Sequence, residues 1–176
     1  CPAQDKPIPE QETILSITEW RRLDSSVDNG LRFLAAQQAP DGSFETIDAG
    51  QPAITSLCVL AFLSRGHLPE EGPYGKHISR AIDFVLSMQR EDGLMCNLPV
   101  ESSYVQEGVS HTGMYSHGIA GLMLGEVYGM TSEIQQERIR TALQKAIGFS
   151  RTWQTRRKRL EVDHGGWRYL VPYESN

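Results

Sequence analysis

Residues 33–44 read Phe33-Leu34-Ala35-Ala36-Gln37-Gln38-Ala39-Pro40-Asp41-Gly42-Ser43-Phe44, and the phrase returns twice. Its frame recurs as Phe84-Val85-x3-Gln89-x3-Gly93-x-Met95. A third copy opens with Phe149-Ser150-x3-Gln154 and closes, after an insert, with Gly165-Gly166-Trp167. The glutamines Gln38, Gln89 and Gln154 stand 51 and then 65 residues apart. That is room for one helical hairpin plus variable loops. Repetition decides architecture first, because each copy must be one unit that buries its apolar face on the next.

Upstream of each glutamine, apolar residues recur at spacings of three and four, the helix period. Ser26–Gln38 carries Val27, Leu31, Leu34 and Ala35. Ile78–Gln89 carries Ile78, Ala81, Ile82, Val85 and Met88. Thr131–Gln154 carries Ile134, Ile139, Ala142, Leu143, Ala146 and Ile147. Between them lie two runs that are apolar nearly all round, Ala53–Ser64 and Gly113–Tyr128. A helix without a polar face must be surrounded. Gly118, Gly121 and Gly125 cost helix propensity and are expected to let a neighbouring helix come close. The alternation predicts an all-α protein, with amphipathic helices outside and apolar helices inside. The repeat domain is expected over residues 14–176, as about two and a half hairpins, after a flexible lead-in at 1–13 with its three prolines.

The phrase falls at the end of each amphipathic helix and in the turn that follows. A glutamine amide offers donors and an acceptor, so it is expected to pair with free helix-end carbonyls and with amides opening the next helix. Gly42 and Gly93 supply backbone freedom for a tight turn. Phe44, Met95 and Trp167 are placed to cover the glutamine. The set Gln38, Gly42, Phe44, Gln89, Gly93, Gln154, Gly165 and Trp167 therefore reads as a structural clamp between hairpins, without chemistry of its own.

At 176 residues the chain is long enough for one sizeable core. Its net charge of -5 and pI near 5.5 argue against nucleic acid as a partner. The basic cluster Arg151, Arg156, Arg157, Lys158 and Arg159 reads as a solvated loop. No apolar run is long enough to span a bilayer. Three cysteines, Cys1, Cys58 and Cys96, make no disulfide framework; Cys58, in an apolar helical run, is expected to be a buried thiol. A start of Cys1-Pro2-Ala3-Gln4-Asp5 before a Pro- and Gln-rich tether suits a bacterial lipoprotein, exported and anchored through Cys1. Without that anchor the expected location is cytoplasmic.

The three phrases, with Arg80-Ala81 and Lys145-Ala146 ahead of the second and third, resemble the QW repeat of squalene–hopene cyclases, oxidosqualene cyclases and the β subunits of protein prenyltransferases. The resemblance covers residues 25–170 or so. It implies an α/α toroid, two concentric rings of helices around an apolar cavity, here partial and open. Tyr115-Ser116-His117-Gly118-Ile119-Ala120 and Gly165-Gly166-Trp167-Arg168-Tyr169 look like the bacterial prenyltransferase and squalene oxidase repeat proteins.

The chemistry of those enzymes is not carried over. Cyclases of that superfamily protonate an alkene with Asp-x-Asp-Asp, an acid kept protonated in a dry pocket; here Asp163 stands alone beside His164. Prenyltransferase β subunits hold zinc with Asp-x-Cys and a later histidine, and no Asp-x-Cys occurs. The thioester Gly-Cys-Gly-Glu-Gln of complement-type toroids is missing too. Lanthionine synthetases carry Cys-His-Gly and Gly-Trp-Cys-Tyr-Gly segments, but Ser116 and Arg168 stand where their cysteines would be.

What remains as catalytic candidates is His117, Asp163 and His164. Cys96, His117 and His164, with His111 and Asp163 nearby in sequence, are the metal candidates, on spacings that match no recognised ligand pattern. His117 is expected near the start of an inner helix, either poised to exchange a proton or hydrogen-bonded to a neighbouring repeat's backbone. Glu126, in the same apolar helix, is expected to be paired or to reach solvent.

The expected function is a helical-repeat domain that binds an apolar ligand or a protein, with no intact catalytic motif and no cofactor. Two alternatives are an isoprenoid cyclase-like enzyme whose acid lies outside this chain, and a zinc-dependent toroid enzyme. An open toroid end also invites self-association.

Overall fold

Ser16 opens the first helix with a capping box. Its hydroxyl accepts from the Glu19 N–H at 3.3 Å, while the Glu19 carboxylate accepts from the Ser16 N–H at 2.8 Å. Helix α1 (Ile17–Gln37) therefore begins about two turns before the apolar stripe predicted from Ser26. The computed structural model describes residues 14–97, 109–158 and 160–167. After α1 come α2 (Ala53–Ser64), α3 (Gly75–Ser87), α4 (Val109–Val127) and α5 (Glu133–Thr155), with short 3-10 turns at Asp48–Gly50 and Glu161–Asp163. Among the described residues no β-strand forms, and the chain is all-α as the periodicity predicts. The expected lead-in at 1–13, with Cys1, lies outside the described residues, as do Arg168 and Tyr169.

The two apolar helices, α2 and α4, pack side by side. α1 and α3 lie against α2, α5 lies against α4, and α3 also meets α5. The core between them is built from Val59 and Phe62 of α2, Ile78, Ile82 and Val85 of α3, Met123 and Leu124 of α4, and Ile139 of α5. These are the positions that the three-and-four spacing marked, apart from Val59, Phe62, Met123 and Leu124, which sit where an all-apolar run has no preferred face. Where α1 meets α2, Arg65 forks onto Asp24 at 2.7 Å and Asp28 at 2.9 Å. No helix among the described residues is long and apolar enough to cross a membrane.

Among the described residues, part of the surface of each apolar helix is left uncovered. In α4, Ala120, Met123, Leu124 and Val127 are buried, whereas Tyr115 and Leu122 are exposed; in α2, Leu57 is exposed. A side chain at Gly118, Gly121 or Gly125 would meet no atom within 4 Å. These glycines thus admit no close helix among the described residues, contrary to the expectation from their spacing. Ile134 and Ile147, expected on the buried stripe of α5, are exposed as well. In each case no described element lies on that side. Glu126 is exposed, which spares it the cost of a buried carboxylate.

Candidate functional site

In the turn after α1, the Gln38 amide donates to the Gly42 carbonyl of its own turn at 3.0 Å and to the His77 carbonyl of α3 at 2.8 Å. Its oxygen accepts from Arg80 and from His77 Nδ1–H, each at 2.7 Å. The turn after α3 repeats this. Gln89 donates to Gly93 O at 3.2 Å and to Ala142 O of α5 at 2.8 Å. The expected N–H donors at the next helix start are not used. Both glutamine donors go to carbonyl oxygens, which keep a second lone pair even inside a helix.

Gly42 and Gly93 do more than free the backbone. Their φ values are +94° and +95°, and a Cβ there would lie 2.3 Å from Arg80 O and 2.4 Å from Lys145 O. Each turn touches the backbone of the next amphipathic helix, and only glycine fits.

The inner side of each turn is closed by a polar side chain from the apolar helices. The buried Phe44 N–H donates to Thr55 Oγ1 at 3.2 Å; Thr55 in turn donates to Gln51 Oε1 at 2.8 Å, and Gln51 Nε2 donates back to Phe44 O at 2.7 Å. At the second turn the Met95 N–H donates to His117 Nδ1 at 3.2 Å. Because Nδ1 accepts, the ring proton sits on Nε2, which lies 3.0 Å from Ser150 Oγ of α5. The ring also stands edge-on to Phe149.

Burial holds the His117 imidazole below its usual pKa, against smaller opposing pulls from the Ala146 carbonyl and from Asp92. His117 is thus a neutral, hydrogen-bonded part of the core. It lies in the third turn of α4, not near the helix start, because α4 begins at Val109. Thr55, Gln51 and Ser150 were not singled out by their sequence. For Thr55 and Gln51 the signal is a polar residue inside or beside an otherwise apolar run; Ser150, in amphipathic α5, has none.

The third phrase is built differently. Gln154 makes no side-chain hydrogen bond among the described residues. Trp167 is exposed and donates from Nε1 to the Ser150 carbonyl at 2.9 Å. Its equivalents Phe44 and Met95 are instead buried and bridge their glutamines through the backbone. Asp163 and His164 share a surface pocket of about 380 Å³ with Lys158, Val162, Gly165, Gly166 and Trp167, and both are exposed.

The metal candidates do not converge. Cys96 is buried beside Leu94 and Phe149, His117 is engaged by Met95, and His164 is on the surface. The His111 side chain lies outside the described residues. Among those described, no group of three or more His, Cys, Asp or Glu is placed to hold a metal ion. Burial pushes the Cys58 thiol up to about 11, which leaves it protonated and inert. No protein-family model, curated protein or solved structure matches the chain significantly.

Proposed function

We propose that the chain is a helical-repeat module of the α/α-toroid type that binds an apolar ligand or an apolar surface of a protein partner. The observation that carries this reading is the apolar surface of α2 and α4 that no described residue covers. Leu57 is exposed on α2 and Tyr115 and Leu122 on α4, where Gly118 and Gly125 add no side chain. Tyr115 and Leu122 stand seven residues apart on one face of α4, and exposed apolar groups so placed favour an apolar occupant.

The candidate chemical groups support binding over catalysis. His117 is committed to Met95 and Ser150, and Asp163 and His164 sit in water. None is a carboxylic acid in a dry pocket, as alkene protonation requires.

The test is calorimetric titration with farnesol as an apolar probe. Saturable binding is expected, at least about tenfold weaker in Leu122→Glu, with the unfolding free energy of that variant within about 0.5 kcal/mol of wild type because the site is exposed. No conversion of squalene or of a prenyl diphosphate is expected. Turnover of either, or stoichiometric zinc in the purified protein, would overturn the reading in favour of an enzyme.

A further inference from the structure

Five and seven residues ahead of each glutamine stand equivalent apolar side chains: Phe33 and Leu31 in α1, Phe84 and Ile82 in α3, Phe149 and Ile147 in α5. Their exposure follows a rule. In α3 both are buried, Ile82 at 0% and Phe84 at 9%. In α1, Leu31 is buried at 4% but Phe33 is 63% exposed. In α5 the pattern inverts, with Ile147 56% exposed and Phe149 at 8%. One position is covered by the preceding repeat and the other by the following one. The partners of Phe149 agree, since it packs with Leu94 and Cys96 from the turn of the repeat before it.

The clamps obey the same rule. Gln38 and Gln89 each reach a carbonyl on the next amphipathic helix, His77 and Ala142. The equivalent carbonyl in α1 belongs to Ser26, which receives no glutamine. Gln154 makes no side-chain hydrogen bond among the described residues. Gly42 and Gly93 abut Arg80 and Lys145, whereas Gly165, with φ +83°, has nothing within 4 Å of where its Cβ would be. Among the described residues the α1 flank is therefore an acceptor without a clamp, and the α5 end is a clamp without an acceptor.

We infer that two copies of this chain associate head to tail, the α5 end of one docking on the α1 flank of the other. In that contact the turn of Gly165 and Trp167 covers the second copy's Phe33, α1 covers Ile147, and Gln154 donates to the Ser26 carbonyl. The junction continues the contacts already made by the turn after α1 on α3 and by the turn after α3 on α5. Such front-to-back contacts are heterologous, so they extend into short chains or close into a ring. The inference is independent of what occupies the α2–α4 face.

Sedimentation equilibrium of the full chain tests it. Mass is expected to rise with concentration above the 19.7 kDa of one chain. Phe33→Glu and Ile147→Glu change exposed residues, so both should keep the wild-type helical circular dichroism while weakening association at least about tenfold each. Mixed together, they should recover a complex that stops at two chains, because each variant contributes one intact face. A wild type that stays at the mass of one chain overturns the inference. So does a mixture that fails to associate, or association lost with Leu122→Glu but indifferent to both end variants.

Discussion

At the turn after α1 the Phe44 N–H ends on the Thr55 hydroxyl; at the turn after α3 the Met95 N–H ends on the His117 imidazole. The two turns share the glutamine's two donated bonds, the glycine φ and the carbonyl that each glycine abuts; Gln38 alone also accepts from Arg80 and His77. The same structural task is thus performed by a group that does not titrate and by one that does. A histidine in an apolar helix invites a catalytic reading. Its counterpart one repeat earlier is a threonine, which shows that the slot needs only an acceptor for one buried N–H.

The largest break in this comparison should come from what the turns share. Gly42→Ala and Gly93→Ala force a Cβ onto a backbone carbonyl at positive φ, and each is expected to cost about 3 kcal/mol in urea unfolding. Gly66→Ala, at φ +84° but with open space around it, should cost only about 1 kcal/mol. Equal losses at Gly66 and Gly93 would remove the close approach from the account.

Closing groups come next. His117→Ala is expected to cost about 2–3 kcal/mol at neutral pH, because it strips Phe149 of a neighbour and leaves the Met95 N–H buried and unpaired. Thr55→Val should cost about 1–2 kcal/mol through the Phe44 N–H and Gln51.

The pH dependence then separates the two turns. His117 titrates below its usual 6.5 in the folded protein, so below 6.5 the unfolded chain binds the proton more readily. Stability is complete above 6.5 and falls as the pH is lowered toward the folded value. Wild type and Thr55→Val should lose stability together between pH 7 and 5, and His117→Ala should lose less. His77, also lowered by burial and by Arg80, acts in the same direction in all three proteins. The lowered carboxylates Glu19 and Asp28 give up stability only below their ordinary values of 4.5 and 3.8, outside this window.

The smallest effect should be at Arg65, remote from both turns. Arg65→Ala removes exposed ion pairs to Asp24 and Asp28. Its cost should be below that of every variant above and should shrink with added salt.

Much of this was legible in the sequence. The helix period placed Ile78, Ala81, Ile82 and Val85 in the core, and the repeated phrase located both turns and their glutamines. The start of α1 was readable as well, since Ser16 and Glu19 have the capping-box spacing. Burial at chain-distant contacts was not readable. Leu31 and Ile147 hold the same place in the phrase, yet one is buried and the other exposed, because burial depends on which repeat lies alongside. The glycines of α4 misled for a related reason. Small residues permit close approach, but nothing in their spacing says that a neighbour is present. For the candidate site, sequence singled out His117, and only the Met95 and Ser150 contacts reveal what it does.

If His117 closes the second turn, it is a fixed, neutral acceptor in the core. Two-dimensional 15N NMR of the histidine rings measures this directly, following the His117 signals through a pH titration. The expected result is a single tautomer with the proton on Nε2 and a midpoint below 6.5. A proton on Nδ1, fast exchange between tautomers, or a midpoint at or above 6.5 would contradict it and return His117 to the list of groups free for chemistry.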